Sequence, residues 1–110
     1  MTTSKTGKIR ELHNNNDDKK TKEVILYNNE GLREGEYLSF HNNGNIRERS
    51  HYMRNELDGI QELYDENGVI ELSISYKSGI KHGESVVYNN GKVSRRVRYN
   101  NGNINGCTFQ

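Results

Sequence analysis

The sequence predicts an all-β fold: an elongated, twisted antiparallel β-meander of about eight or nine strands, built as stacked β-hairpin repeats in a single sheet. Three observations predict it. Glycines at Gly35, Gly59, Gly83 and Gly106 divide the chain into units of 24, 24 and 23 residues. Inside the units apolar and polar residues alternate with period two, the pattern of a strand with one buried face. The turns carry glycine, and their lengths keep equivalent residues facing one another.

Composition limits what such a sheet can bury. Only 30% of the 110 residues are hydrophobic, 28% are charged, and the mean hydropathy is -1.08. A deep two-layer core is not expected, and values this polar would suit a disordered chain were the apolar residues not so regularly placed. The net charge of +1 gives no broad field toward nucleic acid or a membrane. The single Cys107 has no intramolecular partner, which suits a reducing compartment, and no secretory core or membrane-spanning apolar run is seen. The chain is therefore expected to be intracellular, in the cytoplasm. Ala, Pro and Trp are absent while Asn is abundant. The favoured residues have AT-rich codons, so a large DNA virus, an AT-rich bacterium or a protist is the expected source.

The elements follow in chain order. Residues 1–22 form an N-terminal segment: Met1–Thr6 are expected to be disordered, Gly7-Lys8-Ile9 reads as a degenerate unit with a strand over 8–12, and the polar run 13–22 reads as a mobile loop. The repeat domain spans 23–110. A half unit opens it, a strand over 23–27, with Tyr27, Gly31 and Gly35 standing where Tyr76, Gly79 and Gly83 stand later. Three units follow, each with a leading glycine, an aromatic at Phe40, Tyr64 or Tyr88, a turn glycine at Gly44, Gly68 or Gly91, then Ile46, Ile70 or Val93, and finally Tyr52, Tyr76 or Tyr99.

The turns set the register. Phe40 to Ile46 and Tyr64 to Ile70 are each six apart, which a three-residue loop ending in a left-handed glycine accommodates. Tyr88 to Val93 is five apart, and there the two-residue turn Asn90-Gly91 preserves the facing, so the shorter third unit changes its turn type and not its register. In Ile70–Tyr76 apolar residues hold one parity and polar residues the other. One buried row is the expectation: Phe40, Tyr52, Tyr64, Tyr76, Tyr88 and Tyr99 as an aromatic packing row between successive hairpins, favoured over a binding stripe.

Sites for chemistry are few. No Gly-rich phosphate loop, paired-cysteine motif or nucleophile elbow is present. His13, His41, His51 and His82 lack metal-ligand spacing, so no catalytic residue, metal or cofactor is expected. The one basic cluster holds Arg95, Arg96 and Arg98. Arginines bind phosphates of lipid or nucleic acid bidentately, but the charge balance favours a solvated strand face with Glu71 as the partner of Arg96 and Arg98. Cys107, Thr108, Phe109 and Gln110 start a fourth unit without a polar cap and are expected to form an edge for assembly with a second chain.

The pattern of Gly, four residues, an aromatic, two residues, Asn-Gly, then Ile or Val resembles the MORN repeat, closest to the variant repeats of antitoxin-like bacterial and viral proteins. The likeness covers residues 23 to 110. Members often carry a second aromatic two residues after the leading glycine; here only Tyr37 does, with Gln61 and Ser85 in the other places. The resemblance implies a scaffold or protein-binding surface, in some members linked to membranes. The expected function is therefore a non-enzymatic protein–protein interaction module, a minor structural component if the source is viral. Its partner is a protein, or a second copy joined through strand edges, and no small-molecule substrate is expected. An antitoxin-like neutraliser of a partner toxin and a phosphate- or lipid-surface binder are the alternatives.

Overall fold

Alternating β-branched and aromatic residues between tight turns produce ten strands and no helix among the described residues. The computed structural model describes residues 8–13 and 21–109. These residues form β1 (Lys8–His13), β2 (Thr21–Tyr27), β3 (Gly35–Phe40), β4 (Ile46–Met53), β5 (Glu56–Leu57), β6 (Gly59–Tyr64), β7 (Ile70–Lys77), β8 (Ile80–Asn89), β9 (Lys92–Asn100) and β10 (Asn103–Phe109). All belong to one antiparallel sheet whose spatial order follows the chain, with the two-residue β5 paired to β4 beside the main path. The expected disorder of Met1–Thr6 lies outside the described residues, as do residues 14–20 of the polar run. At the ends of that run His13 closes β1 and Thr21-Lys22 open β2, so both strands extend further than expected.

The hairpins have the expected turns. His41 N–H reaches the Asn45 carbonyl at 2.8 Å and Gly44 N–H the His41 carbonyl at 2.9 Å. Asp65 repeats both bonds with Val69 and Gly68, at 2.9 and 3.0 Å. Gly68 sits at φ 88°, a conformation that costs a residue with a Cβ about 1–2 kcal/mol. In the third unit Asn90 and Gly91, at φ 54° and 81°, form the shorter turn.

Cross-strand pairing joins Phe40 to Ile46, Tyr64 to Ile70 and Tyr88 to Val93, as loop length requires. The next pairs up each hairpin are Ser39 with Glu48, Leu63 with Leu72 and Val87 with Arg95. One residue of the returning strand is thus left over in every unit: Arg47, Glu71 and Ser94. These are β-bulges at one repeated position, and each inverts the facing of everything between it and the turn.

The expected single aromatic row is corrected accordingly. Gly35 pairs with Tyr52, Gly59 with Tyr76 and Gly83 with Tyr99, and each of these glycines stands five residues from Phe40, Tyr64 or Tyr88 on its own strand. An odd separation means opposite faces. Tyr52, Tyr76 and Tyr99 therefore line a front face, and Phe40, Tyr64 and Tyr88 line the back. The run Ile70–Tyr76 divides the same way, with Ile70 behind and Leu72, Ile74 and Tyr76 in front.

Burial concentrates on the front. Among the strand residues whose burial is described, Ile25, Tyr37, Ser39, Ser50, Ser85 and Val97 are buried there, against Val86 on the back. With no second layer among the described residues, burial comes from neighbours lying across the sheet. Small Ser39 and Ser50 are fully covered: Arg47 Nε donates to Ser39 Oγ at 3.3 Å, and Ser50 Oγ donates to Glu48 at 2.7 Å. Ile25 and Val97 each contribute about 1.5–3 kcal/mol by burial. The Cα envelope measures 41 × 38 × 18 Å, a slab.

Units are also stapled to one another at the margins, the first and second units at both. At the hairpin margin the Glu66 carbonyl accepts from Asn43 Nδ2 at 2.7 Å and Asn45 Nδ2 at 2.8 Å, and His41 Nε2 bonds the Tyr64 carbonyl at 2.9 Å. At the opposite, junction margin one backbone bond recurs: Asn55 N–H to the Arg33 carbonyl (2.9 Å), Gly79 N–H to Leu57 (2.7 Å) and Gly102 N–H to Lys81 (2.8 Å). The acceptors are 24 residues apart, so each unit is tied to the next in an identical way.

Candidate interaction surface

Along the junction margin of the front face one arrangement of side chains recurs from unit to unit. Across each junction a tyrosine pairs with the acceptor residue of the staple: Tyr27 with Arg33, Tyr52 with Leu57 and Tyr76 with Lys81. The long cationic members then reach over the next unit. The Arg33 guanidinium carbon lies 5.6 Å from the Tyr37 ring centre and 5.2 Å from that of Tyr52, while Lys81 Nζ lies 5.1 Å from Tyr99. The Tyr37 and Tyr52 rings meet edge-to-face, 6.2 Å apart at 80°.

Tyr37 anchors this margin. Its hydroxyl donates to Glu23 at 3.0 Å. Burial, reinforced by that hydrogen bond and the Glu23 charge, pushes its pKa up to about 12. Further along the same face Glu48 accepts from Ser50 at 2.7 Å and from Gln61 at 2.9 Å. Leu63, Leu72 and Ile74 are half-buried beyond it, and Val87 is 39% exposed.

On the back face an open depression of about 390 Å³ is lined by Ile46, Arg49 and Tyr64. Arg49 is held by Glu36 at 3.5 Å. The Tyr64 hydroxyl donates to Glu62 at 2.7 Å, and burial, followed by that bond, raises its pKa above the ordinary tyrosine value.

The expected basic cluster does not converge. Arg95 pairs with Val87 on the front, whereas Arg96 and Arg98 pair with Val86 and Glu84 on the back. The partner of the latter two is Glu84, at 3.1 and 3.9 Å, and not Glu71: Glu84 lies directly across the ladder, whereas Glu71 is the bulge residue of β7. The turn glycines Gly44, Gly68 and Gly91 all have positive φ. Cys107, Thr108 and Phe109 pair with Val97, Arg96 and Arg95 of β9; Cys107 and Thr108 are exposed, and Gln110 lies outside the described residues. No cluster of metal-binding side chains occurs among the described residues. Two of the histidines are structural: His41 reaches Tyr64, and His82 Nδ1 accepts the Asn101 N–H at 3.1 Å.

Sequence reasoning missed Arg33 and Lys81. A signal was present, since Arg33, Leu57 and Lys81 recur every 24 residues. Counting units from Gly35 left Arg33 outside the first of them.

A single antiparallel sheet in which a bulged hairpin recurs with matched staples defines a β-hairpin repeat protein. The family described as MORN repeat variant matches residues 33–53 and 57–78, which fall in the first two of the three units and in the junctions before them. No curated protein and no solved structure matches the chain.

Proposed function

We propose that this chain is a non-catalytic repeat module that binds a protein partner through the front face of its sheet. MORN repeats form modules that bind protein or membrane and are generally not enzymes. The observation that carries the protein reading is the half-exposed apolar surface of Leu63, Leu72, Ile74 and Val87, which no second layer of the described residues covers. A membrane reading through Arg95, Arg96 and Arg98 draws less support, because Glu84 engages two of the three and the third faces the other way. No helix among the described residues is long and apolar enough to cross a membrane.

Affinity capture from the native source tests the reading. Val87→Glu places a charge on the front face at an exposed position, and Glu62→Gln serves as a control on the back. A stoichiometric partner retained by the control and lost with Val87→Glu is expected; its identity, whether a toxin, a particle component or a second copy of the chain, then decides among the specific roles. Capture indifferent to both substitutions contradicts a front-face binding site.

A further inference from the structure

We propose that the junction margin of the front face is a docking track for an acidic protein segment in the polyproline II conformation, with carboxylates on Arg33 and Lys81 and an apolar side chain on Leu57 between them. The inference rests on the protein-binding reading above and names the chemistry of its partner.

The track is a repeated structure. Arg33, Leu57 and Lys81 occupy one register position in successive units, and their carbonyls accept the three equivalent staple bonds. Arg33 is pinned twice, since its N–H also donates to Asn55 Oδ1 at 2.7 Å. The side chains are fixed as well, by Tyr37 and Tyr52 around Arg33 and by Tyr99 under Lys81. A cation held against aromatic rings loses little further freedom on meeting a ligand.

Its donors are unspent. Arg49, Arg54, Arg96 and Arg98 each face a glutamate within 4.0 Å, but among the described residues neither Arg33 nor Lys81 has a carboxylate partner. The nearby acids are engaged, Glu23 by the Tyr37 hydroxyl and Glu30 by Arg54 at 3.0 Å. A guanidinium held beside aromatic rings spends no N–H group on a carboxylate, and its fork of donors can take one in bidentate fashion.

Spacing selects the conformation of the partner. One unit advances the sheet by two strands, about 9.6 Å, which places Arg33 and Lys81 about 19 Å apart with Leu57 midway. A polyproline II helix has three residues per turn and advances about 9.3 Å over them, so every third side chain meets the next unit. A β-strand would send alternate members of such a series to opposite faces. The preferred segment is therefore acidic at its first and seventh positions and apolar at its fourth.

The test uses the full chain and a fluorescein-labelled heptapeptide, Glu-Pro-Pro-Leu-Pro-Pro-Glu, read by fluorescence anisotropy. Saturable binding is expected, weakened about tenfold by either Arg33→Gln or Lys81→Gln, each loss corresponding to one charge-assisted hydrogen-bonded contact. Arg33→Lys, which keeps the charge and loses the fork, is expected to fall between, and circular dichroism melts confirm that the variants fold. Removing one proline from the second spacer is expected to weaken binding by a similar factor, and replacing both glutamates with glutamine to abolish it. Absence of saturation at millimolar protein, equal binding of the glutamine peptide, or an unchanged affinity in the variant that carries both Arg33→Gln and Lys81→Gln overturns the proposal. So does equal potency of inorganic phosphate as a competitor combined with no penalty for the shortened spacer, which marks a bare anion site. Capture of a front-face partner alongside failure of the peptide leaves the module reading standing and removes the track.

Discussion

Arg33 and Asn55 are bonded to each other twice across the first unit junction: Asn55 N–H donates to the Arg33 carbonyl at 2.9 Å, and Arg33 N–H donates to the Asn55 side-chain oxygen at 2.7 Å. Asn55 does this at φ 73°, in the left-handed region that asparagine tolerates better than most residues. Asn55→Ala removes the acceptor and keeps the strain. A loss of about 1–2 kcal/mol is expected, seen as a melting temperature several degrees lower. An unchanged melting curve would show that the Asn55 side-chain bond adds nothing to the backbone staple.

The hairpin turns give a cleaner test of backbone strain. A Cβ at Gly68 would meet no atom within 4 Å, so any cost of substitution there comes from φ and not from a clash. Gly68→Val is expected to destabilise by about 1–2 kcal/mol or more, while Asn67→Ser, at an exposed turn residue, stays within about 0.5 kcal/mol. Equal denaturant midpoints for the two variants refute the turn assignment.

Alkaline pH isolates Tyr37. Its pKa of about 12 in the folded chain lies above the value of about 10 for a solvated tyrosine, so folding favours the neutral hydroxyl. The stability this supplies is fully present below pH 10 and is lost as pH rises through 12. Ultraviolet titration of the phenols should show one tyrosine ionising well after exposed ones, and Glu23→Gln should bring it back part of the way toward them, because the Glu23 charge is removed and a weaker neutral acceptor takes the place of the carboxylate. A late tyrosine that persists unchanged in that variant would assign the shift to burial alone.

Much of the fold was legible in the sequence because the turns are written in residue types with few alternatives. Gly44 and Gly68 at the ends of three-residue loops, and Asn90-Gly91 as a two-residue turn, fix which residues oppose each other, and the pairs Phe40 with Ile46, Tyr64 with Ile70 and Tyr88 with Val93 follow. The bulges were not read because Arg47, Glu71 and Ser94 are polar residues at positions where alternation already calls for a polar residue. A sign of them was present in the spacing: Gly35 to Phe40 is five residues and Ile46 to Tyr52 is six, and two strands that pair at both ends with unequal lengths require one residue over.

The surface was less legible than the fold. Arg95, Arg96 and Arg98 are close in sequence, but the period-two facing of a strand separates the first from the other two, and Glu84 on the neighbouring strand engages that pair. Arg33 and Tyr52 are distant in sequence and meet because the β3–β4 ladder sets Tyr52 opposite Gly35, two residues along the chain from Arg33. Contacts of this kind depend on register, which composition and local clustering do not encode.

A bulge in every unit divides the aromatic residues between two faces. Proton–proton Overhauser contacts of the aromatic rings measure it directly. The account predicts contacts from the Tyr64 ring to Ile46 and Ile70 and from the Tyr52 ring to Tyr37, with none between Tyr64 and either Tyr52 or Tyr76; ring-to-ring contacts running continuously from Phe40 through Tyr52 to Tyr64 would contradict it.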